Sequence, residues 1–86
     1  MSRLEKLVAL FFRAPSDVSF QDVVKVLEAF GYEKRPSKSG HEVFVKLGEY
    51  PITVPTVKGR RVKRVYVIKI VERLGLEEWY EKQHNP

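Results

Sequence analysis

The sequence of 86 residues contains no cysteine. This absence excludes a disulfide framework, thiolate zinc sites, iron–sulfur clusters and a cysteine nucleophile, and it fits a reducing compartment. Long apolar runs are missing too, because the uncharged stretch from Leu7 to Phe12 has only six residues. A membrane span or the core of a typical signal peptide is longer. We therefore expect a cytoplasmic protein that makes no contact with a membrane.

The length predicts a single domain over residues 1–86, since domains usually need roughly 100 to 200 residues. An apolar share of 43% is enough for a thin core. A chain of this size buries only about 60 to 65% of the surface that it exposes when unfolded. Self-association or a dedicated binding partner would cover more of that surface, and both stay open.

Positive charge is concentrated in the middle of the chain. The formal net charge is +5, but residues 1–33 sum to −1, residues 34–69 to +8 and residues 70–86 to −2. Its densest part is residues 58–64, KGRRVKR, which we call the basic segment. Such a cluster is what phosphate binding requires, although a solvated loop or helix start would look the same in sequence.

Two helices are predicted in the first third of the chain. Ser2 and Glu5 form a capping-box pattern for a helix that ends near Arg13. Ser19 begins a second helix over residues 20–30, which has an apolar stripe at helical spacing. Gly31 supplies the left-handed cap at its end.

Alternation of apolar and polar residues then predicts three strands over residues 32–35, 41–47 and 50–54, in an antiparallel meander. Residues 62–71 are ambiguous because their β-branched side chains favour a strand. The 3, 4 and 7 spacing from Val67 to Leu74, followed by Gly75 and Leu76, favours a helix, which we predict. The acidic tail carries Trp79 and Tyr80 and is expected to add a short helical turn.

This order of elements, with a histidine at the start of the second strand, resembles the HicA family of toxins, small ribonucleases of bacterial toxin–antitoxin pairs. The resemblance covers residues 19–76. It is carried by DVVKVLEAFGYE at residues 22–33, SGHEVFVK at 39–46, ITVP at 52–55 and IVERLGL at 70–76. Residues 1–18 are then an N-terminal helical extension, and residues 77–86 are a C-terminal tail.

The resemblance implies an α+β fold like that of a double-stranded-RNA-binding domain, with the order α-α-β-β-β-α, a three-stranded antiparallel sheet and helices packed on one face. It also implies cleavage of messenger RNA and neutralisation by a HicB-like antitoxin protein. The family's catalytic histidine corresponds to His41. Family members usually have glycine and then serine before this histidine, whereas this chain has Ser39 and then Gly40.

His41 is also the strongest catalytic candidate on chemical grounds. Metal-independent RNA cleavage needs a base for the 2′-hydroxyl proton, an acid for the leaving 5′-oxygen and positive charge at the phosphate. Histidine titrates near neutral pH and suits the proton transfers. The other histidine, His84, lies in the expected tail. The complementary proton group stays open between Lys38, a hydroxonium ion and a phosphate-bound water.

The candidates for RNA binding are mostly cations around the histidine and in the basic segment: Lys38, Ser39, Lys58, Arg60, Arg61 and Lys63. Tyr50 and Tyr66 are candidates for base stacking, with a core or sheet-face role as the favoured alternative. No motif for a cofactor or a metal occurs, and we predict neither. The rival hypotheses are a non-catalytic RNA-binding module of the same fold and a protein-interaction domain with a basic face.

Overall fold

The computed structural model describes residues 2–13, 16–36, 41–58 and 60–84, with the side chain of His84 excepted. Over these ranges the chain forms a compact α+β domain with four helices and a three-stranded antiparallel sheet. The elements are α1 (Arg3–Arg13), β1 (Asp17–Ser19), α2 (Phe20–Ala29), β2 (Glu33–Arg35), β3 (His41–Val45), β4 (Ile52–Pro55), β5 (Arg61–Lys63), α3 (Arg64–Leu74) and α4 (Leu76–His84).

The caps predicted for the first two helices are confirmed. Before α1, the Ser2 amide donates to Glu5 Oε1 at 3.3 Å and the Glu5 amide donates to Ser2 Oγ at 3.1 Å. Before α2, Ser19 Oγ accepts from the Gln21 amide at 3.2 Å. α2 ends at Ala29, one residue earlier than predicted. Gly31 follows it with a φ of +92°, the left-handed conformation that favours glycine after a helix.

The ambiguous stretch is a helix, as its spacing predicts. Val67 and Ile70 of α3 are buried, while Ile68 and Lys69 between them are exposed. Gly75 caps α3 in the left-handed conformation at φ 63° and ψ 40°. Leu76, the next residue, is completely buried. Burial of one face therefore overrides the strand propensity of the β-branched residues.

The three-stranded sheet has the order β2-β3-β4 and antiparallel pairing throughout. Phe44 pairs with Ile52, and Glu42 pairs with Val54, so these four residues lie on one face. Phe44, Ile52 and Val54 are buried, and they make this the core face. The sheet is slightly shorter than predicted, since β3 ends at Val45 and β4 begins at Ile52.

A second, two-stranded sheet departs from the predicted order α-α-β-β-β-α. β1 and β5 pair antiparallel, with Val18 opposite Val62. Both valines are buried, and each is flanked by polar residues that point away from the core. Three residues per strand give too little alternation for a sequence pattern, which is why neither strand was predicted.

Both chain ends pack on the core. In α1, Val8 and Phe11 are buried among residues from the other helices and the sheets. α4 is a complete helix over Leu76–His84 and not the single turn predicted. Its Trp79 ring meets Phe30 edge-on at 5.5 Å between centroids, and Tyr80 meets Phe12 at 5.2 Å. α1 and α4 thus belong to the same packed unit as the elements between them.

Candidate nucleic-acid interface

His41 is exposed at the first position of β3. It pairs with Pro55, the last residue of β4, and it lies on the face opposite Phe44 because side chains alternate along a strand. The neighbouring Glu42 is half-buried and forms an ion pair with Lys34 at 3.5 Å on the core face. His41 is thus accessible to a large substrate at the end of the sheet where β4 finishes.

Two of the predicted site residues, Lys38 and Ser39, lie outside the described residues. The chain that is described ends at Pro36 on one side of them and resumes at His41 on the other. Their relation to the histidine is therefore known only from the sequence.

The basic segment is held in place by the residues that precede α2. The Phe20 amide donates to the Arg60 carbonyl at 2.8 Å, and the Arg64 amide donates to the Ser16 carbonyl at 3.2 Å. Between these two hydrogen bonds lies the β1–β5 ladder. Residues 60–64 of the segment thus form β5 and the start of α3, and β1 holds their backbone before any ligand arrives.

Arg61 differs from the other cations of the segment because it has a carboxylate partner. Its Nε donates to Asp17 Oδ1 at 2.8 Å, and its Nη2 contacts both that oxygen and the Asp17 carbonyl. A guanidinium that is bound through two nitrogens is well satisfied. Arg61 therefore anchors the segment to β1, and it is a weaker candidate for phosphate binding than the sequence suggested.

Lys58, Arg60 and Lys63 are exposed and form no ion pair with a carboxylate in the described part of the chain. Lys58 has a φ of +53°, which is the left-handed region. It follows Pro55 by three residues, so the chain goes from the partner of His41 straight into the basic segment. The fold thereby brings His41 and the start of this segment to the same end of the sheet.

A second cationic surface lies between β4 and α3 and was not predicted. A groove of about 150 Å³ separates these two elements, and we call it the α3–β4 groove. It is lined by Pro51, Ile52, Thr53, Val54, Tyr66, Lys69, Ile70 and Arg73. The signal was available in the sequence, because Tyr66, Lys69 and Arg73 share one face of a helix at spacings of three, four and seven.

Tyr50 stands beside this groove and is 82% exposed. The Arg73 guanidinium donates to the Tyr50 carbonyl, which ties the turn before β4 to α3. Leu47, in the same β3–β4 turn, is fully exposed. The favoured alternative for Tyr50 was a core or sheet-face role; its exposure shows that a core role is wrong, and it precedes the first residue of β4. Tyr66 is half-buried, and Lys69 Nζ lies 5.7 Å from the centroid of its ring.

Among the described residues, no three histidine, aspartate or glutamate side chains are grouped closely enough to hold a metal ion. Within the same residues, no helix combines the length and the apolar character needed to cross a bilayer.

Comparison of the chain with protein families, with curated proteins and with solved structures finds no match. The likeness to HicA toxins therefore depends on the residues quoted for it.

Proposed function

We propose that this protein is a metal-independent ribonuclease that cleaves messenger RNA through His41 and is neutralised in the cytoplasm by a HicB-like antitoxin protein. The observation that carries the proposal is the shared position of the exposed His41 and the start of the basic segment at one end of the sheet. A base for the 2′-hydroxyl and positive charge at the phosphate are two of the three things that this reaction requires, and the third is an acid for the leaving 5′-oxygen.

The order of elements supports the fold that the resemblance implies. α2, the β2-β3-β4 meander and α3 follow one another as in a double-stranded-RNA-binding domain, and the core face of the meander is the one that holds Phe44. We include this fold assignment in the proposal. β1, β5, α1 and α4 are then additions around that central unit.

In the proposed reaction, the imidazole of His41 takes the proton from a ribose 2′-hydroxyl. The 2′-oxygen forms a bond to the adjacent phosphorus as the bond from phosphorus to the 5′-oxygen breaks, and the 5′-oxygen takes up a proton. Lys58, Arg60 and Lys63 stabilise the negative charge that accumulates on the phosphate oxygens. Lys38, a hydroxonium ion or a phosphate-bound water supplies the second proton.

The test is expression of the wild-type protein and of His41→Ala in a bacterial host, followed by in vitro cleavage of a purified transcript. Wild type should arrest growth, degrade message and remain active in EDTA. His41→Ala should do none of this while it keeps its affinity for RNA. His41 is exposed, so the change leaves no cavity, and a thermal melt verifies that the variant is folded.

Two other outcomes would each select a different function. Salt-dependent RNA binding without cleavage in either protein indicates the non-catalytic RNA-binding module, which the order of Ser39 and Gly40 favours. Weak, non-specific RNA binding with tight capture of an acidic protein indicates the interaction domain. A neighbouring reading frame for a HicB-like protein would support the toxin role.

A further inference from the structure

The α3–β4 groove carries charge of one sign. Lys69 and Arg73 are both exposed, no acidic side chain lines the groove, and neither cation forms an ion pair with a carboxylate in the described part of the chain. The guanidinium of Arg73 is already oriented by its hydrogen bond to the Tyr50 carbonyl. A polyanion is the ligand that fits such a surface.

Two aromatic residues are available at this groove. Tyr66 lines it, and Tyr50 directly precedes its lining residue Pro51 and has an exposed side chain. Arg73 donates to the Tyr50 carbonyl, so the later part of α3 lies beside the start of β4. Tyr66 is about two helical turns earlier in α3 and lies towards the end of β4. A cationic groove with aromatic rings along it is the usual arrangement for binding a single strand, since phosphates meet the cations and bases stack on the rings.

The groove and the candidate active site meet at the end of β4. Val54 lines the groove, and the following residue, Pro55, pairs with His41, whose side chain lies on the opposite face of the sheet. A strand that leaves the groove would therefore pass around the edge of β4 at Pro55 to reach His41. The seven steps along the helix from Tyr66 to Arg73 span about 10 Å at 1.5 Å per residue. At about 3.4 Å per stacked nucleotide, this length accommodates on the order of three nucleotides.

An added peptide strand is a poor fit for the same groove. β4 has only four residues in Ile52–Pro55, and Pro51 precedes it. A proline at each end removes two amide donors from the edge, and short strands with prolines are a common protection against strand addition.

We propose that the α3–β4 groove binds the single-stranded RNA that flanks the phosphate cleaved at His41. Lys69 and Arg73 contact its phosphates, and Tyr50 and Tyr66 stack on its bases. This inference rests on the proposed ribonuclease function and adds its substrate class, which is unpaired RNA.

The test uses the full chain with His41→Ala, so that the RNA stays intact, and the anisotropy of a short labelled single-stranded RNA of mixed sequence. Tyr50→Ala should weaken binding about five-fold or more, while Tyr50→Phe, which keeps the ring, should bind like the parent. Lys69→Gln should reduce the slope of log affinity against log salt by about 0.7. Lys25→Gln, which removes an exposed cation from α2, is the matched control and should change neither quantity.

Each contrary result has a distinct meaning. If Arg60→Gln weakens RNA binding but Tyr50→Ala and Lys69→Gln behave like Lys25→Gln, the groove proposal is wrong and the ribonuclease proposal stands. If the parent binds no RNA, both are wrong. Equal affinity for a hairpin duplex overturns the assignment to single strands. If the groove variants lose affinity only for a glutamate-rich peptide, the groove is a protein-binding site.

Discussion

Lys58 is, among the described residues, the one residue other than glycine with a positive φ. A left-handed conformation costs an L-amino acid about 1 to 2 kcal/mol, because Cβ approaches the backbone carbonyl. A glycine at this position would avoid that cost. The start of the basic segment therefore carries a lysine charge although its backbone conformation disfavours any residue except glycine. Residues with a strained backbone of this kind cluster at functional sites.

We expect Lys58→Gly to raise the free energy of unfolding by about 0.5 to 1 kcal/mol, since relief of the strain exceeds the added entropy of the unfolded chain. RNA affinity should fall at the same time because one cation is lost. Lys58→Gln is the matched control, and it should lower RNA affinity equally without any gain in stability. Urea unfolding and anisotropy measure the two quantities. If both variants are equally stable, the argument from strain is wrong.

The sequence predicted the burial of some side chains but not the exposure or the partners of others. The burial of the apolar stripe of α2 follows from local periodicity, and it is observed. The exposure of Tyr50 and the pairing of Arg61 with Asp17 depend on contacts with α3 and β1, which are distant in sequence. No local pattern contains that information.

At the scale of the element, α1 is part of the core and not an appendage. Phe11 is 1% exposed, whereas Phe12, its neighbour, is half-buried and makes an edge contact with Tyr80. The two phenylalanines of α1 thus differ in burial, which makes Phe12 a control for Phe11.

Phe11→Ala should lower the free energy of unfolding by about 3 to 5 kcal/mol, because it leaves a cavity in the core. Native proteins of this length are stable by about 4 to 13 kcal/mol, so the loss is a large part of the total. Phe12→Ala should cost about half as much. Trp79, the only tryptophan of the sequence, reports unfolding by fluorescence. Small costs for both changes would mean that α1 is loosely attached.

The elements that were predicted correctly are those with their own local signals. α1 and α2 have caps and stripes, and α3 has the Gly75 stop. β1 and β5 exist because each provides the other with a partner, and their three residues carry no periodic signal. α4 is polar over most of its length, and it is helical through the packing of Trp79 and Tyr80 on α2 and α1.

At the scale of the whole molecule, charge is divided between two regions. Lys58, Arg60 and Lys63 lie on the basic segment, and Lys69 and Arg73 continue the positive surface along the α3–β4 groove. The opposite sign is concentrated where α3 meets α4, in Glu72, Glu77, Glu78 and Glu81. Such a division orients a polyanion towards one side of the protein before contact.

The five cations of the positive side set the salt dependence of RNA binding. If each meets one phosphate of a single strand, log affinity should fall with log salt at a slope of about −3.5, because each contact contributes about −0.7. Binding at 200 mM salt should then be about 100-fold weaker than at 50 mM salt. Anisotropy titrations of the His41→Ala protein measure this slope. A slope near −2 would leave the basic segment as the whole interface, and a slope near zero would contradict RNA binding through these cations altogether.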